Sequence, residues 1–227
     1  MRAAYERLTS ILSDPDECGM SALDCIYEIM ENEVQRRDSN ALARRLKEAK
    51  ICLPNARPDT IDFSIERGLD KNKIDALLTM RWMEEHQNII ITGAAGCGKT
   101  FLACALVNQA CIKGRTARVV RVPLLLNQMA ASHQIVETYF KKLKEMKTID
   151  LLVLDDWGIG QLDARSRQDL LEIINERYMY ASTIVTSVLP VNKWSEYIND
   201  TTYSDAILDR LVSVSHRVEL NGASVRQ

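Results

Sequence analysis

Eight consecutive residues, Gly93-Ala94-Ala95-Gly96-Cys97-Gly98-Lys99-Thr100, constrain this chain more than any others. They fit GxxxxGK[ST] in full. The apolar run Asn88-Ile89-Ile90-Ile91-Thr92, fit for a buried strand, leads into them, and a segment of helical character comes next. Glycines at 93, 96 and 98 let the backbone curl until successive N–H groups point at phosphate oxygens. The positive end of the next helix faces the same anion. The stretch from Gly93 through Thr100, with Phe101, is therefore expected to bind ATP. Lys99 is expected to reach the β- and γ-phosphates, and the Thr100 hydroxyl to bind Mg2+. A chance glycine-rich turn accounts for neither the lysine–threonine pair nor its setting.

The same alternation continues along the chain. Segments 69–85, 100–113, 124–147 and 165–180 read as helices, the third broken near Ser132. Segments 88–92, 118–122, 150–154 and 182–187 read as strands. Strands alternating with helices predict an α/β fold with a parallel sheet covered on both faces. One of these strands, Leu151-Leu152-Val153-Leu154, runs straight into Asp155 and Asp156. Two acids at the end of a buried strand are costly unless they meet a cation. In a P-loop protein they occupy the Walker-B position. Asp155 is then the magnesium residue, and Asp156 the carboxylate that orients or deprotonates the attacking water. The plain alternative is a pair of capping acids in a loop. The strand 182–187 ends in hydroxyls, which either sense the γ-phosphate or merely cap the strand.

Composition narrows the classes further. The chain of 227 residues is 46% hydrophobic and 26% charged, which excludes a mainly disordered protein. No run is long and apolar enough for a membrane span, and the first residues lack the apolar core of a signal peptide, so a cytoplasmic protein without membrane partners is expected. None of the six cysteines forms a CxxC pair or a zinc spacing with the three histidines. Cys104 and Cys111 read as reduced core residues. The net charge of −2 means that any nucleic-acid binding must come from local patches. Two exist: Arg36, Arg37, Arg44, Arg45, Lys47 and Lys50, then Lys141, Lys142, Lys144 and Lys147. Each is either a solvated helix face or a phosphate-contacting stripe. Residues 1–50 are otherwise helical, with a turn at Ser13-Asp14-Pro15-Asp16 and a cap at Ser21 with Asp24. Pro54 and Pro58 open a linker, so the expected division is 1–57 for a helical DNA- or partner-binding domain and 58–227 for the ATPase domain.

The order of these motifs, with Asp155-Asp156-Trp157-Gly158, the stretch 169–178, Ser182-Thr183-Ile184-Val185-Thr186-Ser187-Val188-Leu189-Pro190 and Asp205-Ala206-Ile207-Leu208-Asp209-Arg210-Leu211, resembles the IstB-like ATPases. These assist the transposases of insertion sequences and are close to the DnaC-type helicase loaders, within the AAA+ class. The resemblance covers the chain from about residue 20 to its end. It implies a parallel P-loop sheet with a small N-terminal helical domain, Mg-ATP bound between subunits of a homo-oligomer, and duplex DNA and a transposase as partners. It also implies a catalytic set of Lys99, Asp156 and Arg210, with Arg210 as an arginine finger acting on a neighbour's ATP. Otherwise Arg210 is a surface partner of Asp205 or Asp209. Gly222-Ala223-Ser224-Val225-Arg226 resembles the family's end motif, where Arg226 would contact nucleotide. Three departures stand out. Val188 stands where the family usually has Asn or Gln, so the resemblance implies that the sensing role either falls to Thr186 or Ser187 or is weakened. By the resemblance, the sequence is expected to begin inside the family's N-terminal domain and to lack a helical lid after its core. Three other functions share the P-loop: a helicase loader, which carries the same core; a small-molecule kinase, for which the chain offers no lid; and a scaffold that binds ATP without hydrolysing it.

Overall fold

The computed structural model describes residues 5–6, 8–10, 22–64 and 67–221. The turn at 13–16, Ser21 and the motif 222–226 therefore lie outside the described residues. Contacts divide the chain into two compact units, the first ending at Arg44 and the second beginning at Arg45. Helix α1, Ala22–Ala49, runs through that division. Leu23, Ile26, Tyr27, Met30 and Val34 recur along it at helical spacing and are exposed.

The second unit is built on a five-stranded, all-parallel sheet in the order β2-β3-β4-β1-β5. Its strands are β1 (Asn88–Gly93), β2 (Ala117–Arg121), β3 (Leu151–Trp157), β4 (Ser182–Ser187) and β5 (Ser215–Leu220). Ile89–Ile91, Leu151–Leu154 and Ile184–Val185 are each 1% exposed or less. Strands covered on both faces read as continuous apolar runs, which is why three of them are visible in the sequence. Helices α2 (Lys71–Leu78) and α3 (Arg81–Glu84) precede the first strand, and those between the strands are α4 (Lys99–Ile112), α5 (Val122–Ser132), α6 (Val136–Thr148), α7 (Ala164–Arg177), α8 (Trp194–Ile198) and α9 (Thr201–Val212).

Departures from the sequence reading have local causes. Segment 69–85 is two helices, because Met80 takes a left-handed conformation (φ 66°) between them. Helix α7 stops at Arg177 instead of running to 180, and Met179 turns the chain with φ 62°. Arg177 is fixed there by what it does. Its buried guanidinium donates to the carbonyls of Met146 (2.6 Å), Ile149 (2.8 Å) and Ser182 (2.5 Å) and to the Thr183 hydroxyl (3.1 Å). Burial pulls its pKa down to about 9, only partly countered by Asp150. Strand β3 extends past Leu154 through both acids to Trp157, with a bulge against β4. Trp157 packs on Trp194 at 5.2 Å and anchors that tip. Cys104 and Cys111 are buried and unbridged, as read, and burial raises their thiol pKa values to about 12 and about 11. Among the described residues no helix is long and apolar enough to cross a membrane.

The end of β1 is the tightest point. Gly93 (φ 150°) pairs with Leu220 of β5, and a Cβ placed there would lie 2.2 Å from the Leu220 carbonyl oxygen and 2.9 Å from the Cys97 sulfur. Gly93→Ala is therefore expected to force β1 and β5 apart. The expected loss is about 3 kcal/mol or more of stability, seen as a melting-temperature fall on the order of 6–12 °C for a domain of this size. A melting temperature within a degree of the parent's would refute the close approach.

Candidate functional site

A cleft of about 790 Å³ opens at the carboxyl ends of the strands, where ligands bind in open α/β sheets. Its floor is the loop between β1 and α4. Gly96 and Gly98 take positive φ (85° and 98°), and Gly98 serves as N-cap of α4. These conformations turn the loop back over the helix N-terminus, whose first N–H groups lack partners within the helix. Ala95, Gly96, Gly98, Lys99, Thr100 and Phe101 line the cleft. Ala94 is exposed and Cys97 is fully buried beneath the loop. The Lys99 ammonium donates to the carbonyls of Gly93 (2.8 Å) and Ala94 (2.7 Å), so it is held across its own loop.

The acids of β3 meet this loop. The Thr100 hydroxyl donates to Asp155 Oδ1 at 3.0 Å, and the Thr186 hydroxyl donates to the same oxygen. Asp155 is only 5% exposed. A buried carboxylate beside a threonine oxygen fits a small hard cation, which uses one or two carboxylates and completes its shell with substrate oxygens and water. Among the described residues, no cluster of three or more His, Cys, Asp or Glu side chains could hold a metal. Magnesium at this site would depend on Thr100, Asp155 and the substrate's phosphates.

Asp156 points differently. Its backbone is left-handed (φ 61°), and its N–H donates to the Thr186 hydroxyl at 3.3 Å. Its carboxylate Oδ2 accepts from Arg121 Nε at 2.7 Å. That hydrogen bond and charge hold the Arg121 guanidinium above its ordinary pKa. The sequence reading missed Arg121. It ends the strand β2, but nothing in a one-dimensional pattern says that β2 lies beside β3.

The two hydroxyls that end β4 separate by role. Thr186 touches both acids, as above. Ser187 donates to the Trp157 carbonyl (2.7 Å) and accepts from the Leu189 N–H (3.0 Å), which is a strand-end cap. Val188 is 41% exposed and lines the cleft. Arg210 lies elsewhere. Asn88, the first residue of β1, donates to the Arg210 carbonyl (3.1 Å), so Arg210 sits at the amino ends of the strands, opposite the cleft. Its guanidinium donates to the Ala206 carbonyl (2.7 Å) and lies 5.8 Å from the centre of the Tyr178 ring. The structure therefore brings Lys99, Thr100, Asp155 and Asp156 together and leaves Arg210 apart.

A further wall also escaped the sequence reading. Cys52, Leu53, Thr60, Asp62 and Arg67, from the proline-containing linker and the segment just beyond it, also line the cleft. The basic patches are only partly free. Arg36 and Arg37 pair with Glu33, and Lys147 pairs with Glu176. Arg44, Lys47, Lys50, Lys141 and Lys144 are exposed.

Comparison with known proteins agrees with this geometry. The model of the family described as IstB-like ATP binding protein matches residues 1–227. A protein described as insertion sequence ATP-binding protein y4pL, from Sinorhizobium fredii (strain NBRC 101917 / NGR234), is 39% identical over 219 residues, covering 96% of this chain and 89% of that protein. The insertion sequence IS1162 ATP-binding protein of Pseudomonas fluorescens is 38% identical over 162 residues, 71% of this chain and 70% of its own. In structure the chain is similar to DnaI, with a TM-score of 0.63 at 21% identity over 81% of this chain and 100% of that one. It is also similar to the DnaC helicase loader, with a TM-score of 0.59 at 21% identity over 74% and 98%. These likenesses are of fold alone, a parallel P-loop sheet flanked by helices. With its loop, its paired acids and a family model spanning its whole length, the chain belongs to the IstB-like ATP-binding proteins.

Proposed function

We propose that this protein hydrolyses Mg-ATP as a homo-oligomer assembled on duplex DNA and thereby assists a transposase. The observation that carries this is the split placement of the machinery. Lys99, Thr100, Asp155, Asp156 and Thr186 converge on one cleft, while Arg210 sits at the opposite end of the same sheet. A head-to-tail contact between copies brings such opposite surfaces together. Arg210 of one copy then completes the site of the next, and an arginine finger of this kind is worth about 10³-fold or more in rate. The insertion-sequence relatives support transposition as the setting and rank it above helicase loading, which the shared fold alone would also fit.

In this reading the loop N–H groups and the start of α4 bind the phosphates. Lys99 exchanges its two loop carbonyls for phosphate oxygens, on a stem flexible enough to swing. Magnesium, when bound, offsets charge on the phosphate oxygens. Thr100 and Asp155 hold it, and Thr186 keeps the Asp155 carboxylate in place. Asp156, with Oδ2 on Arg121, presents Oδ1 to the attacking water, orients it and takes its proton. The exposed basic residues Arg44, Lys47, Lys50, Lys141 and Lys144 contact DNA phosphates. Each patch is weak alone, and repetition along a duplex multiplies it.

Two substitutions separate binding from chemistry. Lys99→Ala should weaken ATP binding by about 10- to 100-fold, the worth of a charge-assisted hydrogen bond. Calorimetry on the isolated protein measures this, and parent-like affinity would mean that the loop does not hold the phosphates. Asp156→Asn should bind ATP as the parent does and lose turnover by about 10²- to 10⁴-fold, because the amide cannot accept a proton. Phosphate release in the presence of duplex DNA is the readout, and an undiminished rate would remove Asp156 from the chemistry.

A further inference from the structure

Arg67 stands out once the cleft is described. It is 5% exposed, yet it lines the cleft that holds Lys99 and Thr100. Its guanidinium makes one hydrogen bond, from Nη2 to the Asp62 carbonyl at 2.9 Å, and its buried Nε has no acceptor. Among the described residues no carboxylate pairs with it. Asp62 feels the Arg67 charge, but its carboxylate makes its hydrogen bonds to Ser64, accepting from the N–H (2.8 Å) and the hydroxyl (2.6 Å). A buried cation without a counter-charge costs several kcal/mol in a folded protein.

The backbone shows that this position is built. The Asn221 N–H donates to the Arg67 carbonyl at 2.8 Å, directly beyond the Leu220 that pairs with Gly93. The next residue, Gly68, has φ 77°, and a Cβ there would meet the Glu219 carbonyl oxygen at 2.9 Å. The chain is thus fastened to the end of β5, beside the start of the phosphate loop, and the side chain emerges into the cleft. An anion entering the cleft would offset this cost.

We infer that Arg67 is a further phosphate-binding residue, a counter-cation of the nucleotide's phosphate chain in the cleft wall beside the start of the loop. This rests on the reading of the cleft as a nucleotide site. Phosphate, not base, is the partner because the unmet requirement is for negative charge as well as for an acceptor. A guanidinium presents several N–H donors in a fixed fork that suits phosphate oxygens.

The test compares Arg67→Met and Arg67→Lys with the parent and with Lys99→Ala, titrating each with magnesium-ATP and with inorganic triphosphate. Arg67→Met should lose about 10- to 100-fold in affinity for both ligands alike, and Arg67→Lys should recover part of it. The ligand-free melting temperature of Arg67→Met should equal or exceed the parent's, since an uncompensated buried charge has been removed. A merely structural role predicts the reverse, a lower ligand-free melting temperature. That result would overturn the inference, as would a loss confined to ATP, which would place Arg67 on the base. If Arg67→Met binds like the parent while Lys99→Ala does not, the inference fails and the nucleotide reading stands. If the parent binds neither ligand, both fail.

Discussion

The close approach of Gly93 to the Leu220 carbonyl fixes where everything else in the cleft can be. With β1 pressed against β5, the loop has no route but to curl outward over the start of α4. That curl sets the Lys99 stem against the carbonyls of Gly93 and Ala94, and delivers the Thr100 hydroxyl to Asp155. The bulge in β3 does the complementary work. It leaves Asp155 facing the loop and turns Asp156, in a left-handed backbone, toward Arg121. Neighbouring acids are thereby given different surroundings, the condition for dividing metal binding from proton transfer.

The sequence shows this site unevenly, for physical reasons. The phosphate loop is legible because its chemistry is local. Glycines, a lysine and a threonine at fixed spacing do their work within eight residues. The central strands are legible because both of their faces are buried. Strand β5 is not, because only Val218 and Leu220 of its six residues are buried, and the exposed, charged Arg217 and Glu219 interrupt any apolar run. Arg121 and Arg67 are invisible for another reason. Each matters only through a neighbour far away in sequence, Asp156 for one and the end of β5 for the other. The hydroxyls that end β4 stood as an open choice between sensor and cap. Their contacts differ: Thr186 touches both acids, and Ser187 caps the strand end.

Arg210 gives the molecule its polarity. Asn88 ties the end of α9 to β1 through the carbonyls of Arg210 and Leu211, and ties β1 to β4 through the Thr183 N–H. The guanidinium is therefore carried on a braced element at the amino edge of the sheet, while the phosphate loop occupies the carboxyl edge. Under the proposed function the two edges would be complementary halves of one active site, an arrangement suited to repeat along a filament or ring. DNA that aligns the copies would then govern turnover without touching the chemistry.

That account rests on Arg210 acting on a neighbour. The direct test mixes two variants, Asp156→Asn and Arg210→Ala, on duplex DNA and follows ATP turnover. Each alone should be nearly inactive, because one lacks the carboxylate at its own site and the other offers no arginine to the next. The mixture should regain activity, since some interfaces then join an intact Asp156 to an intact Arg210. A mixture no faster than either variant alone, or an Arg210→Ala protein as active as the parent, would contradict a site completed between subunits.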